Sequence, residues 1–161
     1  DTFNVVIELL EGGTVIEELW NRLYVLDKLR TTVIAELLKN IQSQDDYTYS
    51  FISDDYAKKF VGDGGDWDAF SDAFYIFIDQ YIKYVGKNIW GFAIIPDFSN
   101  DEGKYRGAFR ALNDRVDTSI FAKELGGGGH KSASGFSVKG ESYTDELDKV
   151  KSVIEKYQPK G

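Results

Sequence analysis

The feature of this sequence that most constrains its fold is the alternation of strand-like and helix-like segments. Segments rich in aromatic and β-branched residues, or alternating in polarity, predict strands at residues 47–53, 89–95, 104–112 and 136–139. Apolar residues at helical spacing predict helices at residues 54–60, 67–82, 118–125 and 147–157. This order predicts an α/β (α+β) fold, in which helices cover a mixed sheet.

The first 45 residues differ from the rest, because they carry helical patterns with no strand between them. The end of a helix at residues 1–10 is followed by a helix that Thr14 opens and by another that begins near Asp27. This pattern predicts a helical connector in front of the sheet, so we divide the chain into residues 1–45 and 46–161. Because the chain starts at Asp1 and has no methionine, we expect it to be a fragment of a longer protein.

The composition excludes several classes of function. The chain has no cysteine, which rules out disulfides and thiolate zinc sites and fits the reducing cytoplasm, where we expect the protein to reside. Its net charge of -8 repels polyanions, so any groups that bind nucleotides must be gathered in a local pocket. No apolar run approaches the length of a membrane span, and we therefore expect no membrane partner.

A glycine-rich run is the segment that carries chemistry. Residues 126–136 read Gly-Gly-Gly-Gly-His-Lys-Ser-Ala-Ser-Gly-Phe. The N–H groups of Gly127, Gly128 and Gly129 can point into one concavity that suits phosphate oxygens, since no side chains block the approach. We expect the run to join two helices, so that His130 would open the second helix and gain positive potential from its N-terminus.

The residues after the glycines add hydrogen-bond donors. His130 is the one histidine of the chain and can donate to phosphate, and Lys131 and the hydroxyls of Ser132 and Ser134 supply further donors. The alternative is a flexible glycine linker between two helices. Linkers mix glycine with serine and stay polar, whereas this run ends abruptly in histidine and then reaches Phe136.

This run resembles the signature of the DHH-associated C-terminal domain of DHH phosphoesterases. The family includes RecJ-like exonucleases, oligoribonucleases and cyclic-dinucleotide phosphodiesterases. The matching features are Gly-Gly-Gly-His130, a strand with Arg110, the pair Val116-Asp117, and the segment Ile120-Phe121-Ala122. The sequence departs from the family pattern at Ser134, where alanine is usual, and at Ala108, where serine is usual. Residues 2–13 resemble the end of the catalytic domain and its linker in the small two-domain oligoribonucleases.

The resemblance implies a division of labour between two domains. An N-terminal DHH domain would hold two manganese ions with Asp and His ligands, and the C-terminal domain would grip the nucleotide across a cleft. By residue match, Arg110 and His130 would contact substrate phosphate, and the glycines at 127–129 would let the backbone approach it. This chain has no Asp-His-His motif and a single histidine, so we expect no catalytic residue, no metal ligand and no activity without the missing domain.

Arg106 lies on the same predicted strand as Arg110 and faces the same way. Four residues along a strand separate the two by about 13 Å, so one phosphate does not bind both unless the strand bends. Arg106 is therefore a candidate for a second phosphate, or else a solvated residue of an edge strand.

The function that follows is the substrate-binding half of a metal-dependent phosphodiesterase acting on short oligonucleotides or dinucleotides. Its expected partners are a short oligonucleotide or dinucleotide phosphate and the N-terminal DHH domain of the same protein, and the sequence leaves a homodimer open. The alternative is a non-catalytic RNA-binding or dimerisation module, because relatives of this domain also occur in alanyl-tRNA synthetases. The net charge of -8 argues against a large RNA-binding surface.

Overall fold

A computed structural model describes residues 27–44, 46–97, 104–112 and 115–158 of the chain. The helices predicted within residues 1–26 lie outside the described residues. In the described part, the helices are α1 (Lys28–Lys39), α2 (Asp54–Gly62), α3 (Trp67–Gln80), α4 (Thr118–Glu124) and α5 (Tyr143–Tyr157). The strands are β1 (Gln42–Ser43), β2 (Thr48–Phe51), β3 (Trp90–Pro96), β4 (Lys104–Ala111), β5 (Gly128–Gly129) and β6 (Ala133–Lys139).

The six strands form one sheet in the order β1-β2-β3-β4-β6-β5. Strands β2 and β3 are parallel, and the other neighbouring pairs are antiparallel. The predicted α/β (α+β) fold with a mixed sheet is thereby confirmed.

Short polar residues at the N-caps explain where the helices begin. In each case the side chain accepts a hydrogen bond from a backbone N–H of the first turn, which would otherwise have no partner. The N-cap residues are Asp27, Ser53, Asp66, Asp117 and Ser142.

Helices cover both faces of the sheet. On the first face, α1, α2 and α3 pack on Ala93, Ile95 and Ala108, and the buried helix residues include Leu37 and Phe74. Helix α1 therefore packs within the core of the sheet domain, and the place where a preceding domain would end stays a prediction. None of the described helices is long and apolar enough to cross a bilayer.

On the second face, α4 and α5 pack on the aromatic side chains of the sheet. Phe92, Phe109 and Phe136 are buried there with Phe121 and Val150. Successive residues of β4 alternate between the two faces, as the sequence predicted. Ala108 belongs to the core on the first face, and alternate residues of a strand share a face, so Arg106 and Arg110 also lie on the first face.

The glycine run departs from the predicted fold. It does not join two helices, because it leads from α4 into the short strand β5, and a turn at His130 then returns the chain as β6. No helix begins at His130, so the expectation that a helix N-terminus adds positive potential there is wrong. Strand β6 also begins three residues earlier than predicted, at Ala133 rather than Phe136.

Candidate functional site

An open groove of about 550 Å³ lies on the first face of the sheet, where α3 covers β4 and leaves β6 and β5 bare. Tyr75 of α3 lies on one side of the groove, and the glycines at 126–129 lie on the other. Residues of β4 and β6, including Arg106 and Arg110, line the space between them. The groove thus brings together both arginines and all of the predicted glycines.

The floor of the groove consists of very small residues. Ala108, Gly135 and Gly128 lie side by side on β4, β6 and β5, because Ala108 pairs with Gly135 and Gly135 pairs with Gly128. Residues directly opposite one another in antiparallel strands share a face of the sheet. A ligand in the groove can therefore approach the backbone of three adjacent strands.

Arg110 and His130 lie in one row next to this floor. Arg110 pairs with Ala133 across β4 and β6. His130 and Ala133 exchange two backbone hydrogen bonds, of 2.8 and 3.3 Å, so His130 continues the row on the other side of Ala133. By register, Arg110 and His130 are therefore about 10 Å apart, at two strand spacings. His130 is exposed and, unlike Arg110 and Ala133, is not among the residues that line the groove. The small side chain of Ala133 leaves room for a ligand between them.

The glycine run is fixed by the fold and does not act as a linker. Gly126 ends α4 with a positive φ of 78°, and its N–H donates to the carbonyl oxygen of Lys123 at 3.0 Å. The N–H of Gly127 donates to the carbonyl oxygen of Ala122 at 2.7 Å. These two bonds form a Schellman motif. The motif favours glycine at the first residue after the helix cap, here Gly126, because that residue adopts a left-handed conformation.

Two further glycines are required by close packing against β6. A Cβ atom on Gly127 would stand 2.1 Å from the carbonyl oxygen of Gly135, and one on Gly129 would stand 2.6 Å from the Cα of Ser134. Gly128 differs, because a Cβ there would meet nothing within 4 Å. Its φ is not positive either. The backbone therefore does not require glycine at 128, where a side chain would project into the groove.

Lys131 and Ser132 form the turn between β5 and β6 and lie outside the lining of the groove. Their backbone carbonyls pin the turn to the fold. That of Lys131 accepts bonds from the N–H and the hydroxyl of Thr118, at 2.8 and 2.9 Å, and that of Ser132 accepts one from the N–H of Ala111 at 2.9 Å. Both residues, with the exposed His130, lie in the turn beside the groove, and their role as phosphate donors stays a prediction.

Ser134 does not point into the groove, contrary to the expectation that it would donate to phosphate. It is 4% exposed, and its hydroxyl lies 2.8 Å from the hydroxyl of Thr118 and 2.9 Å from the carbonyl oxygen of Thr118. It pairs with Phe109, on the opposite face from the arginines. Its side chain therefore joins β6 to α4.

Arg106 is held by two neighbours. Its Nε and Nη2 donate to Asp97 Oδ2 at 3.1 and 2.7 Å, and its Nη1 donates to Ser71 Oγ at 3.0 Å. Strand β4 lies in the interior of the sheet, so Arg106 is not a solvated edge residue. Because Asp97 offsets its charge and all three nitrogens are engaged, Arg106 is a weaker phosphate ligand than its position on the strand indicated.

Arg110 keeps part of its guanidinium available. Its Nε donates to Asp79 Oδ1 at 2.6 Å, and its Nη1 donates to the carbonyl oxygen of Phe109 at 2.8 Å. Among the described residues, Nη2 has no hydrogen-bond partner. The side chain is 16% exposed, so two bonds and its packing hold the guanidinium in place. This arrangement suits a charge-assisted bond to an anion in the groove.

The apolar spacing that predicted a helix at residues 67–82 did not identify Tyr75 of the groove lining or the two residues of α3 that bond the arginines. Ser71, Tyr75 and Asp79 follow one another at four-residue intervals, so they form a stripe along one side of α3. Ser71 bonds Arg106, Asp79 bonds Arg110, and Tyr75 lies between them in the lining of the groove. The signal in the sequence is this polar stripe beside the apolar one.

Asp117, the N-cap of α4, is a charged residue near the turn that contains Lys131. The hydroxyl of Ser119 donates to Asp117 at 2.6 Å and holds the pKa of that carboxyl below its usual value, and the charge of Lys131 lowers the pKa further. No group of three or more His, Cys, Asp or Glu side chains that could hold a metal ion occurs among the described residues. The described residues therefore do not fit a manganese site, and we assign no metal-dependent step to them.

Comparison with known proteins gives one family and several similar chains. The DHHA1 domain family matches residues 44–157. Uncharacterized protein R106 of Acanthamoeba polyphaga mimivirus is 43% identical over 51 residues, which is 30% of this chain and 12% of the mimivirus protein. This chain therefore spans only a small part of that relative.

Two solved structures share the fold at low sequence identity. An exopolyphosphatase-related protein from Bacteroides fragilis superposes with a TM-score of 0.73 and 20% identity, over 98% of this chain and 44% of that one. The pGpG-specific phosphodiesterase PggH from Vibrio cholerae gives a TM-score of 0.52 and 14% identity, over 95% of this chain and 51% of that one. The chain thus spans about half of each protein.

Proposed function

The chain belongs to the DHHA1 domain family, and from this membership we propose that it is the substrate-binding part of a DHH-type phosphoesterase. The substrate we propose is a short oligonucleotide or a dinucleotide, as for an oligoribonuclease or exonuclease. The observation that carries this proposal is the row of Arg110, Ala133 and His130 beside a floor of glycine and alanine. We place the protein in the cytoplasm.

The phosphate would lie between Arg110 and His130. The Nη2 of Arg110, which has no partner among the described residues, and the imidazole of His130 would be the donors, and the small side chain of Ala133 lies between the two residues in the row. Bonds from a guanidinium to phosphate are shorter and stronger than bonds between neutral groups. The bare floor at Gly128 and Gly135 lets the rest of the nucleotide approach the backbone.

The charges around the groove favour one compact anion over a long polymer. Arg106 is paired with Asp97 and Arg110 with Asp79, so the two arginines carry little net positive charge beyond their partners. With a net charge of -8 for the whole chain, a broad RNA-binding surface is disfavoured. A non-catalytic RNA-binding role and a homodimer gain no support from these contacts.

Hydrolysis would belong to the N-terminal DHH domain. Two-metal hydrolysis requires ions about 3.5–4 Å apart that activate water and stabilise the leaving charge. We propose that the DHH domain holds manganese for this purpose and that the chain alone is inactive. The contribution of the DHHA1 domain would be to orient the phosphate ester for attack.

The proposal is tested by titrating the chain with the 5′-phosphorylated dinucleotide pGpG and following its backbone amides by NMR. We expect shifts that concentrate at residues 126–134 and at Arg110. Arg110→Ala should abolish these shifts, whereas Arg30→Ala should leave them unchanged, because Arg30 pairs with Asp27 and Asp72 and does not line the groove. Shifts that avoid residues 126–134 up to millimolar ligand would overturn the proposal.

A further inference from the structure

Tyr75 is exposed in a helix whose other aromatic residues are largely buried. It is 42% exposed, whereas Phe70, Phe74 and Phe77 of the same helix are fully buried. Its side chain lines the groove, and its hydroxyl has no hydrogen-bond partner among the described residues. Neither core packing nor a hydrogen bond therefore accounts for a tyrosine at this position.

The ring of Tyr75 is accessible and contacts one buried neighbour. Its ring meets the ring of buried Phe74 edge-on, with centroids 5.3 Å apart and an interplanar angle of 66°. One turn away on either side, Ser71 and Asp79 bond the two groove arginines. Tyr75 and Asp79 are separated by about 6 Å along the helix axis. A ligand whose phosphate meets Arg110 can therefore bring a neighbouring group onto the ring within the length of one nucleotide.

Resting on the proposed function, we propose that Tyr75 is the specificity-determining residue of the groove. It stacks on a nucleobase of the bound ligand, so that the groove selects phosphate esters that carry a base over inorganic polyphosphate. An aromatic ring offers its face to any base, and each such stack contributes substantially to the binding of single-stranded nucleic acid.

The charged residues at the groove also favour a nucleotide over inorganic polyphosphate. A polyphosphate chain needs a cation for each successive phosphate, yet Arg106, the second arginine of the lining, is bonded to Asp97 and Ser71. Further phosphates beside the first would also approach Asp79 and Asp97, whose carboxylates repel them. A ligand whose phosphates are separated by a nucleoside, as in pGpG, brings fewer adjacent negative charges to these carboxylates.

Affinities of wild-type chain and Tyr75 variants for two probes, pGpG and inorganic tripolyphosphate, test this inference. Tyr75→Ala and Tyr75→Leu should each weaken pGpG binding about tenfold, because both remove the ring. Tyr75→Phe keeps the ring and should stay within about twofold of wild type. Binding of tripolyphosphate, which is expected to be weaker than that of pGpG in wild type, should change by less than about twofold in all three variants.

A matched control is Tyr84→Ala, which removes an exposed tyrosine that does not line the groove. It should leave both affinities unchanged, and a preserved amide spectrum shows that each variant is folded. If Tyr75→Leu binds pGpG as wild type does, or weakens both probes equally, the inference is overturned while the proposed function stands. If wild type binds pGpG outside the groove, the proposed function fails, and the role of Tyr75 fails with it.

Discussion

The fold requires glycine at three positions of the run. Gly126 ends α4 in a left-handed conformation, and a side chain on Gly127 or Gly129 would collide with β6. Gly128 meets none of these constraints and faces the groove. The sequence identified the run as a whole, because four successive glycines are unusual. It could not assign a separate role to each, since the contacts that distinguish them come from β6 and α4.

Gly128→Ala distinguishes an effect on folding stability from an effect on ligand binding. We expect the free energy of unfolding to stay within about 1 kcal/mol of wild type, because a methyl group there contacts nothing and alanine restricts the unfolded chain. Binding of pGpG should weaken, since the methyl group stands on the groove floor. Urea unfolding and titration of the same sample measure both effects.

Gly127→Ala is the matched control for that change. Its Cβ would collide with a backbone oxygen of β6, so we expect a loss of about 1–3 kcal/mol in the free energy of unfolding. Equal losses of stability in the two variants would show that position 128 is packed as tightly as position 127, which would contradict our description.

Asp79 competes with a ligand for Arg110, because its carboxylate already accepts a bond from Nε. Asp79→Asn removes one negative charge beside the groove, and we expect phosphate binding to strengthen by about three- to tenfold, or about 1 kcal/mol. The gain should shrink as salt is raised. Asp72→Asn, which changes the same charge at a position that pairs with Arg30, should have little effect. Weaker binding by Asp79→Asn would instead mean that Asp79 orients Arg110 for its ligand.

Among helices and strands, the sequence predicted the elements that carry their own periodicity. Strands β3 and β4 and helices α2, α3 and α4 fall close to the predicted positions, and α5 begins four residues earlier than predicted. Strand β5 could not be predicted, because two glycines become a strand only through pairing with β6. The early start of β6 was missed for a similar reason, since Ala133 and Ser134 have no strong strand preference and are held by β4 and α4.

Thr118 links α4 to the turn that presents His130. Its hydroxyl lies within hydrogen-bond distance of the Lys131 carbonyl and of the Ser134 hydroxyl. Thr118→Val keeps the shape of the side chain and removes these contacts, so we expect a loss of about 1–3 kcal/mol in the free energy of unfolding. We also expect weaker pGpG binding, because the turn loses an anchor.

Ser134→Ala provides the comparison for Thr118→Val. It removes one hydroxyl, while Thr118 keeps its bond to the Lys131 carbonyl. We expect a smaller loss of stability, about 1 kcal/mol, and pGpG affinity within about twofold of wild type. A larger effect on binding from Ser134→Ala than from Thr118→Val would contradict the assignment of Ser134 to the link between β6 and α4.

For the protein as a whole, the fold class could be predicted from the order of its segments, but the groove could not. The groove depends on Tyr75 and Asp79 lying beside β4, and Asp79 and Arg110 are 31 residues apart in the chain. The pairing of Arg106 with Asp97 and Ser71 likewise requires the assembled sheet. Alternation within β4 correctly predicted that both arginines lie on one face. It gave no information on which guanidinium is available to bind a ligand.

The link between α4 and α5 predicts a dependence of stability on pH. Lys156 Nζ donates to Glu124 Oε1 at 2.5 Å, and the hydroxyl of Tyr157 donates to Glu124 Oε2 at 2.7 Å. These bonds lower the pKa of the Glu124 carboxyl in the folded state. A lowered folded-state pKa stabilises the protein above the unfolded value, which is near 4.5, and this contribution is lost as pH falls through the folded value.

Glu124→Gln should therefore flatten the fall of the unfolding free energy below pH 4.5, as measured by urea unfolding at a series of pH values. Asp148→Asn removes the same charge from an exposed position of α5 and serves as the control. An unchanged slope in Glu124→Gln would show that the link does not persist in solution.

The most direct measurement compares the affinities of the chain for pGpG and for GpG, which lacks the 5′-phosphate, in wild type, Arg110→Ala and His130→Ala. If Arg110 and His130 hold the terminal phosphate, wild type prefers pGpG by about tenfold or more, and each substitution removes most of that preference. Equal affinity of wild type for the two dinucleotides, or a preference that survives both substitutions, would contradict a phosphate site between Arg110 and His130.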